Sequence, residues 1–440
     1  MIQLLRKLFT QKTINTFKHL PVAFFANLVY FWPSRKLKII GVTGTDGKTS
    51  TSLLIFNLLK QAGLRVALIS TVSAKIDDEE ISTGFHVTSP SSWKLQKLLR
   101  KMANKGIKYV VLETTSHGLD QNRLWGISFE VGVLTNVTNE HLDYHKTWEE
   151  YFIAKMILLR KSKRVILNKD DSSYEKVKKI IKKKKIITYS IKKDADFKAA
   201  GIVVSIEKTK FNLKNNNQLV PLTSPLIGKF NVSNQLAAIA VARYLNIDYK
   251  TITKSLKGFP GILGRMEFIP NNKRLKIIID FAHTPNALKS ILTLLRQFIK
   301  KGQRVIVVFG AAGLRDTYKR EQMGVIAGKL ADFAILTSED PRTEDPKKII
   351  SQISQGCQRS EMKKLGIAKS KEVKKKKIKK GYFSIVNRQD AINFAIRKLA
   401  RPHDFIVCLG KAHERSMCFG TTEYPWSEHN AVRIALKEKR

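Results

Sequence analysis

The segment Gly41-Val42-Thr43-Gly44-Thr45-Asp46-Gly47-Lys48-Thr49 stands directly after the β-branched run LKII and directly before a helical stretch. A strand that ends in glycines and feeds a helix N-terminus cradles phosphate, because backbone N–H groups and the helix dipole converge on the anion. In such a loop Lys48 reaches the terminal phosphates and the Thr49 hydroxyl ligates magnesium. The strict spacing asks for glycine at position 42, where valine stands, so the loop is the variant G-T-x-G-K-T. The segment predicts a nucleotide site with Gly44, Thr45, Gly47, Lys48, Thr49 and Ser50 around ATP and Mg2+, and an α/β domain to carry it.

The rest of the chain has the matching rhythm. After LKIIGVT come a helical stretch over 49–61, the strand RVALIST, a helix over 93–105, then KYVVLE and EVGVLTNV. Strands alternating with helices imply a parallel sheet covered on both faces. The stretch 195–222 alternates apolar and polar residues as strands do, and 235–245 reads as a helix. A second series begins near Arg265 with LKIIID, a helix over 287–298, RVIVVFG, FAILTS, YFSIV, 391–399 and DFIVCLG. The expected organisation is a short helical segment over 1–37, a P-loop doubly wound domain over 38–262, and a Rossmann-like domain over 263–440. The lysine-rich stretch 357–380 reads as a surface excursion.

Composition narrows the function classes. With 43% hydrophobic residues the 440-residue chain has material for packed cores, so a disordered or fibrous protein is excluded. Eighty Lys and Arg against 36 Asp and Glu give a net charge of +44, which raises the prospect of a nucleic-acid partner. The lysine runs at 176–185 and 371–380 lack the interleaved aromatics of a single-strand platform, so a solvated basic surface and no specific nucleic-acid partner is expected. Cys357, Cys408 and Cys418 show no paired spacing, which suggests neither zinc nor disulfides and fits a reducing cytoplasm. The apolar run 20–32 is shorter than the roughly 20 residues a bilayer span needs. It leaves a peripheral membrane helix and a helix packed on the protein both open.

A phosphate loop alone does not distinguish ligases from kinases or ATPases. Further candidates follow other strands: Glu113 ends YVVLE and precedes Thr114-Thr115-Ser116-His117, and Asn136 to His145 follows VGVLT. Ligands of open α/β sheets sit at such strand ends, and a carboxylate with an imidazole there can complete a divalent-metal site around ATP.

GVTGTDGKTST, ETTSHGLDQNR, TNVTNEHLDYH, LIGKFNVSNQLAAIA, GRME, DFAHTPNAL, TSEDPRTEDP and GKAHE occur in that order. Over residues 38–440 the chain resembles the Mur ligase family, in particular the members that add the third residue of the cell-wall peptide. That resemblance implies an ATP-dependent acid–amino-acid ligase of peptidoglycan synthesis, acting in the cytoplasm as a monomer on small-molecule substrates. The expected reaction joins meso-diaminopimelate, or L-lysine, to UDP-N-acetylmuramoyl-L-alanyl-D-glutamate through an acyl-phosphate. By resemblance Lys48, Glu113, His141 and Lys155 are catalytic. Thr49 and Glu113 hold one magnesium, and His141 and a carbamylated Lys155 support a second. Thr88, Ser89, Thr115, Gln121 and Arg123 grip the muramoyl-dipeptide. Asn231, Asn234, Arg265 and Asp280 serve the nucleotide, with His283 lining the cleft as the domains close. Arg315, Asp340, Arg342, Gly410 and Glu414 receive the amino acid. Within that pocket Arg342 suits the distal carboxylate of diaminopimelate, whereas Asp340 suits an ammonium.

The family carries a uridine-binding domain ahead of the phosphate loop, where this sequence has about forty residues, too few for an independent core. A weak hold on uridine, a partner that supplies the surface, or a lipid-linked acceptor at the membrane are the readings this leaves. Asp46 replaces the usual Asn, Asn286 the usual Asp, and Ala311-Ala312 a Cys-Gly pair. A folylpolyglutamate-type ligase and a basic nucleic-acid-binding ATPase are the competing readings.

Overall fold

The computed structural model describes residues 10–71, 74–76, 79–81, 90–216, 218–375 and 377–439. By its internal contacts the chain divides into two compact units, Met1–Pro260 and Gly261–Arg440.

In the first unit a helical stretch over 11–29 ends in α1 (Leu20–Val29) and leads to the strand β1 (Lys38–Thr43) and the helix α2 (Lys48–Gln61). β2 (Val66–Ile69), β3 (Ala74–Ile76) and β4 (Glu79–Ile81) follow, then α3 (Ser92–Asn104), β5 (Tyr109–Glu113), α4 (Ser116–Asp120) and β6 (Phe129–Leu134). α5 (Trp148–Arg160) precedes β7 (Ser162–Asn168) and β8 (Lys185–Ser190). β9 (Phe197–Val204), β10 (Thr209–Asn215) and β11 (Gln218–Ser224) come before α6 (Lys229–Tyr244). Among the described residues these strands form one sheet in the order β11-β10-β9-β8-β7-β6-β1-β5-β2-β3-β4.

β1 lies between β5 and β6 and runs parallel to both. Its interior is fully apolar: Ile39, Ile40 and Val42 are completely buried, as expected of a strand covered on both faces. Gly41 lets α5 approach the sheet, because a Cβ there would stand 2.4 Å from Leu158 Cδ1. That close packing carries Lys155, one turn earlier on α5, to the end of β1.

Three features differ from the sequence reading. β7 and β8 were not foreseen, and α6 begins at Lys229, six residues before the expected start. Asn231, Ser233 and Asn234 interrupt its apolar periodicity, and Asn231 and Asn234 are buried all the same. The lysine-rich stretch 357–380 is also more than a surface excursion, since Met362 and Val373 within it are buried.

The second unit has a six-stranded sheet in the order β12-β13-β17-β14-β15-β16. These are β12 (Glu267–Ile269), β13 (Lys276–Asp280), β14 (Val305–Phe309), β15 (Phe333–Leu336), β16 (Gly381–Ser384) and β17 (Phe405–Leu409). All neighbours are parallel except β12 with β13. Helices α7 (Pro285–Phe298), α8 (Tyr318–Leu330) and α9 (Pro346–Arg359) alternate with the strands, and α10 (Glu428–Lys437) follows the hairpin β18 (Ser416–Phe419) and β19 (Thr422–Pro425). The β-branched strands β13, β14 and β17 are buried throughout their centres, each fully buried aliphatic side chain contributing roughly 1.5–3 kcal/mol.

Candidate active site

In the first unit the residues of interest gather where β1, β5 and β6 end. Gly47 caps α2 with φ +81°, and a Cβ on it would stand 2.4 Å from Asn234 Oδ1. The backbone there is therefore both left-handed and crowded, a place for glycine alone. The segment after β6 braces the loop: Asp46 N donates to Asn136 Oδ1 (2.9 Å), Asn136 Nδ2 to the Asp46 carbonyl (3.0 Å), and Thr138 N to Thr45 Oγ1 (3.0 Å).

Lys48 Nζ donates to the carbonyls of Gly44 (3.0 Å) and Thr45 (2.7 Å). Lys155 Nζ donates to the same Gly44 carbonyl at 2.8 Å and lies 4.3 Å from the centre of the Tyr151 ring. Lys155 is almost wholly buried. Burial, reinforced by the charge of Lys48, holds its ammonium well below the usual lysine range, so the amine is biased toward its neutral, nucleophilic form.

Thr49 Oγ1 donates to Glu113 Oε1 at 3.1 Å. Two oxygens bound to one magnesium at 2.0–2.1 Å stand about 3 Å apart in octahedral geometry, so this donor pair fits the ion. The carboxylate is aimed by a residue the sequence reading missed: Thr71 donates to it through N (3.1 Å) and through Oγ1 (2.8 Å). Thr71 follows β2, the neighbour of β5, and only the strand order brings it to Glu113.

His141, at φ +59°, packs its ring 4.8 Å from that of His117, which lies 4.3 Å from Tyr144. Tyr144 OH donates to Asp120 Oδ2 (2.7 Å), which also accepts from Asn15 Nδ2 (2.7 Å). Thr115 caps α4 by accepting from Gly118 N at 3.0 Å. Arg123 Nη2 donates to Gln121 Oε1, and burial lowers the guanidinium's pKa. Ser50 is buried in the first turn of α2. Asn231 and Asn234 bond to each other (3.3 Å), to the Ile227 carbonyl and to Thr51, so they lie beneath the loop and against Gly47. Thr88 and Ser89 lie outside the described residues.

In the second unit the residues of interest also collect at strand ends. Asp280 ends β13, and its oxygens accept from Met266 N (2.6 Å) and Ala282 N (2.7 Å), tying the GRME turn to the AHTP loop. Arg265 stacks over Phe281 at 4.6 Å, and His283 Nδ1 lies 3.0 Å from the Phe281 carbonyl. Asp340 is buried and accepts from Lys411 Nζ (2.8 Å) and Cys418 N (3.0 Å), while Lys411 also pairs with Glu414 (2.6 Å). Arg342, at φ +53°, donates through Nη1 to the Gly313 carbonyl (2.8 Å). Gly410 leaves room for Glu339, whose Oε2 would be 2.4 Å from a Cβ there. Burial pushes the Glu339 carboxyl up to about 7. Arg315 is exposed.

Three buried arginines escaped the sequence reading, Arg304, paired with Asp404, and two nearer the residues of interest. Arg320 donates to Glu344 and to the Ala312 carbonyl, and Arg388 pairs with Glu428 while donating to the carbonyls of Ser338 and Leu409. No motif marks them, and a buried charge can be found only from its partner.

The Mur ligase middle domain family matches residues 42–242, and the family described as Mur ligase, glutamate ligase domain matches residues 264–412. A UDP-N-acetylmuramoyl-L-alanyl-D-glutamate–2,6-diaminopimelate ligase of Clostridium botulinum is 36% identical over 95% of this chain and 81% of its own length. The enzyme of the same name from Trichormus variabilis is 35% identical over 95% of this chain and 80% of its own. A solved structure of a ligase so named superposes with a TM-score of 0.61 at 32% identity, over 91% of this chain and 78% of that one. A MurF ligase from Thermotoga maritima in complex with ADP shares the fold alone, with a TM-score of 0.68 at 17% identity over 95% and 84% of the two chains. Family matches across most of its length and relatives above 30% identity place this chain in the Mur ligase family of ATP-dependent ligases.

Proposed function

We propose that this ligase joins meso-diaminopimelate to UDP-N-acetylmuramoyl-L-alanyl-D-glutamate, as the names of its relatives say of them. The observation that carries the reading is the convergence of Lys48, Lys155, Thr49 and Glu113 on the loop Gly44–Thr49. A carboxylate oxygen of the dipeptide attacks the terminal phosphorus of ATP, ADP leaves, and an acyl-phosphate forms. The amine of the incoming amino acid then attacks the acyl carbon, loses its proton, and expels phosphate to leave the amide.

Lys48, now on the Gly44 and Thr45 carbonyls, is placed to turn onto the phosphates. Thr49 and Glu113 are the pair that would hold magnesium, with His141 and Lys155 near a second position. When bound, magnesium neutralises the negative charge of the transferred phosphoryl group. The neutral bias of Lys155 suits its carbamylation, in which the amine adds carbon dioxide and releases a proton. Thr115, Gln121 and Arg123 are the proposed dipeptide contacts, and Arg265 and Asp280 the second unit's nucleotide contacts.

The preference for diaminopimelate rests on charge. Asp340 is already neutralised by the protein's own Lys411, so it is a poor receptor for a substrate ammonium. Arg342 keeps guanidinium N–H groups for a carboxylate, which only diaminopimelate carries at its far end. Arg315, Gly410 and Glu414 complete the proposed pocket. The division into a domain over 38–262 and one over 263–440 belongs to the same reading. So does a cytoplasmic monomer, which the buried free cysteines and the net charge of +44 support.

The test is phosphate release with Mg-ATP and the UDP-linked dipeptide, with diaminopimelate, L-lysine or no amino acid, and mass spectrometry of the product. Release that depends on diaminopimelate, with the tripeptide mass, is expected. Intact ATP binding with no product from any amino acid would sink the assignment.

A further inference from the structure

The helical stretch over 11–29 packs the wrong way round for a helix that meets only protein and water. Its inner side is small or polar: Asn15, Ala23, Ala26 and Asn27 are buried, with Asn27 Nδ2 on the Trp125 carbonyl at 3.0 Å. From Val22 onward its outer side is large and apolar, with Phe17 before it. Phe17 is 79% exposed, Phe25 53%, Val29 53% and Phe31, just beyond the helix, 78%. Phe24, Leu28 and, on the neighbouring α3, Trp93 extend the surface. A contiguous exposed apolar patch of this kind marks an interaction site.

The charge around the patch names its partner. No Asp or Glu occurs before Asp46, whereas Lys12, Lys18, Arg35, Lys36 and Lys38 lie in the same stretch and all are exposed. Aromatic and aliphatic side chains on a stretch whose own charged residues are all cations match a bilayer surface, where apolar groups enter the acyl boundary and cations meet anionic headgroups. A second copy of this chain would bring cation against cation, which opposes association. No helix among the described residues is long and apolar enough to cross a membrane, so the contact is interfacial.

We infer that the helical face formed by Phe17, Phe24, Phe25, Leu28, Val29 and Phe31 is a docking surface for an anionic lipid bilayer. Through Asn15 the same helix holds Asp120, which holds Tyr144 against His117, so docking sets the ligase site close to the lipid surface. The inference is independent of which amino acid the enzyme adds.

The experiment is flotation of the full chain with vesicles of phosphatidylcholine alone and with about 30% phosphatidylglycerol, at low and at ~0.5 M salt. Phe25→Gln/Leu28→Gln and Lys12→Gln/Lys36→Gln variants are compared with the parent protein. Both pairs are solvent-facing, and ligase turnover of a soluble dipeptide substrate is the control for folding. Partition onto the anionic vesicles is expected to fall by ~10-fold or more in the apolar variant and by a similar factor in the charge variant. Anionic-vesicle binding untouched by Phe25→Gln/Leu28→Gln would show mere polycation adsorption and overturn the inference. So would the absence of binding, or a dimer in solution that this variant dissolves.

Discussion

Lys48 and Lys155 donate to one acceptor, the carbonyl of Gly44, at 3.0 Å and 2.8 Å. Two cations on one peptide oxygen repel each other, and the buried member yields first because it has the least access to water. Lys155 is that member, and its ammonium is held well below the usual lysine range.

Replacing Lys155 by Ala or Arg is therefore expected to lower ligase kcat by on the order of 100-fold or more. Neither residue can offer a neutral primary amine. Carbon-13 NMR after incubation with labelled bicarbonate provides a second readout: a carbamate signal is expected in the parent protein and absent in Lys155→Arg. A fully active Lys155→Arg enzyme would remove this residue from the mechanism.

Thr71 touches Glu113 through two hydrogen bonds and is proposed to act only by aiming it. Thr71→Val should raise the magnesium concentration needed for half-maximal activity by roughly 10–100-fold, with kcat at saturating magnesium nearly restored. An unchanged magnesium titration would show that Glu113 is held well enough without it.

Arg342→Ala is expected to raise the KM for diaminopimelate by roughly 10–100-fold, the loss of a charge-assisted contact. Any rate with L-lysine should hardly change. If both amino acids lose equally, Arg342 supports the pocket without reading the distal carboxylate.

Arg388 and Glu428 form a fully buried pair that also holds the Ser338 and Leu409 carbonyls. Those carbonyls end or follow β15 and β17, the strands that lead into Glu339–Arg342 and Gly410–Glu414. Glu428→Gln leaves a buried cation without its counter-charge and is expected to cost about 3–5 kcal/mol. Arg388→Met/Glu428→Leu should recover much of that stability in urea unfolding, though not the position of the pocket. A double variant no more stable than Glu428→Gln would contradict the account.

Glu339 supplies the pH dependence. Burial raises its carboxyl from 4.5 to about 7, so the folded state prefers the protonated form. Its stabilising effect is present below about pH 4.5 and is lost as pH rises through about 7, a difference of roughly 3 kcal/mol at most. Thermal unfolding of the parent protein should fall relative to Glu339→Gln between pH 5 and pH 8. Parallel profiles would place the proton elsewhere.

The loop between β1 and α2 was legible because its signal is local: glycines, lysine and hydroxyl lie within nine residues, between a strand and a helix. That Glu113 ends a strand and that His141 lies in the segment after the next one was legible, and the two α/β series followed from alternation of β-branched and amphipathic runs. The early start of α6 was not legible, because its polar residues Asn231 and Asn234 are buried, Asn234 against Gly47. Local periodicity cannot register a partner that lies far away in sequence.

The sequence by itself thus determined the fold class and the strand–loop–helix over Lys38–Gln61, since each depends on neighbours within a few residues. Tertiary structure alone decided which side chains are buried and which partners they meet. Strand order put Thr71 on Glu113, the close approach of α5 over Gly41 buried Lys155, and the meeting of strand ends gave Asp340 to Lys411. Charge state and hydrogen-bond availability depend on burial and on partners brought together across long sequence separations, and these exist only in the folded chain.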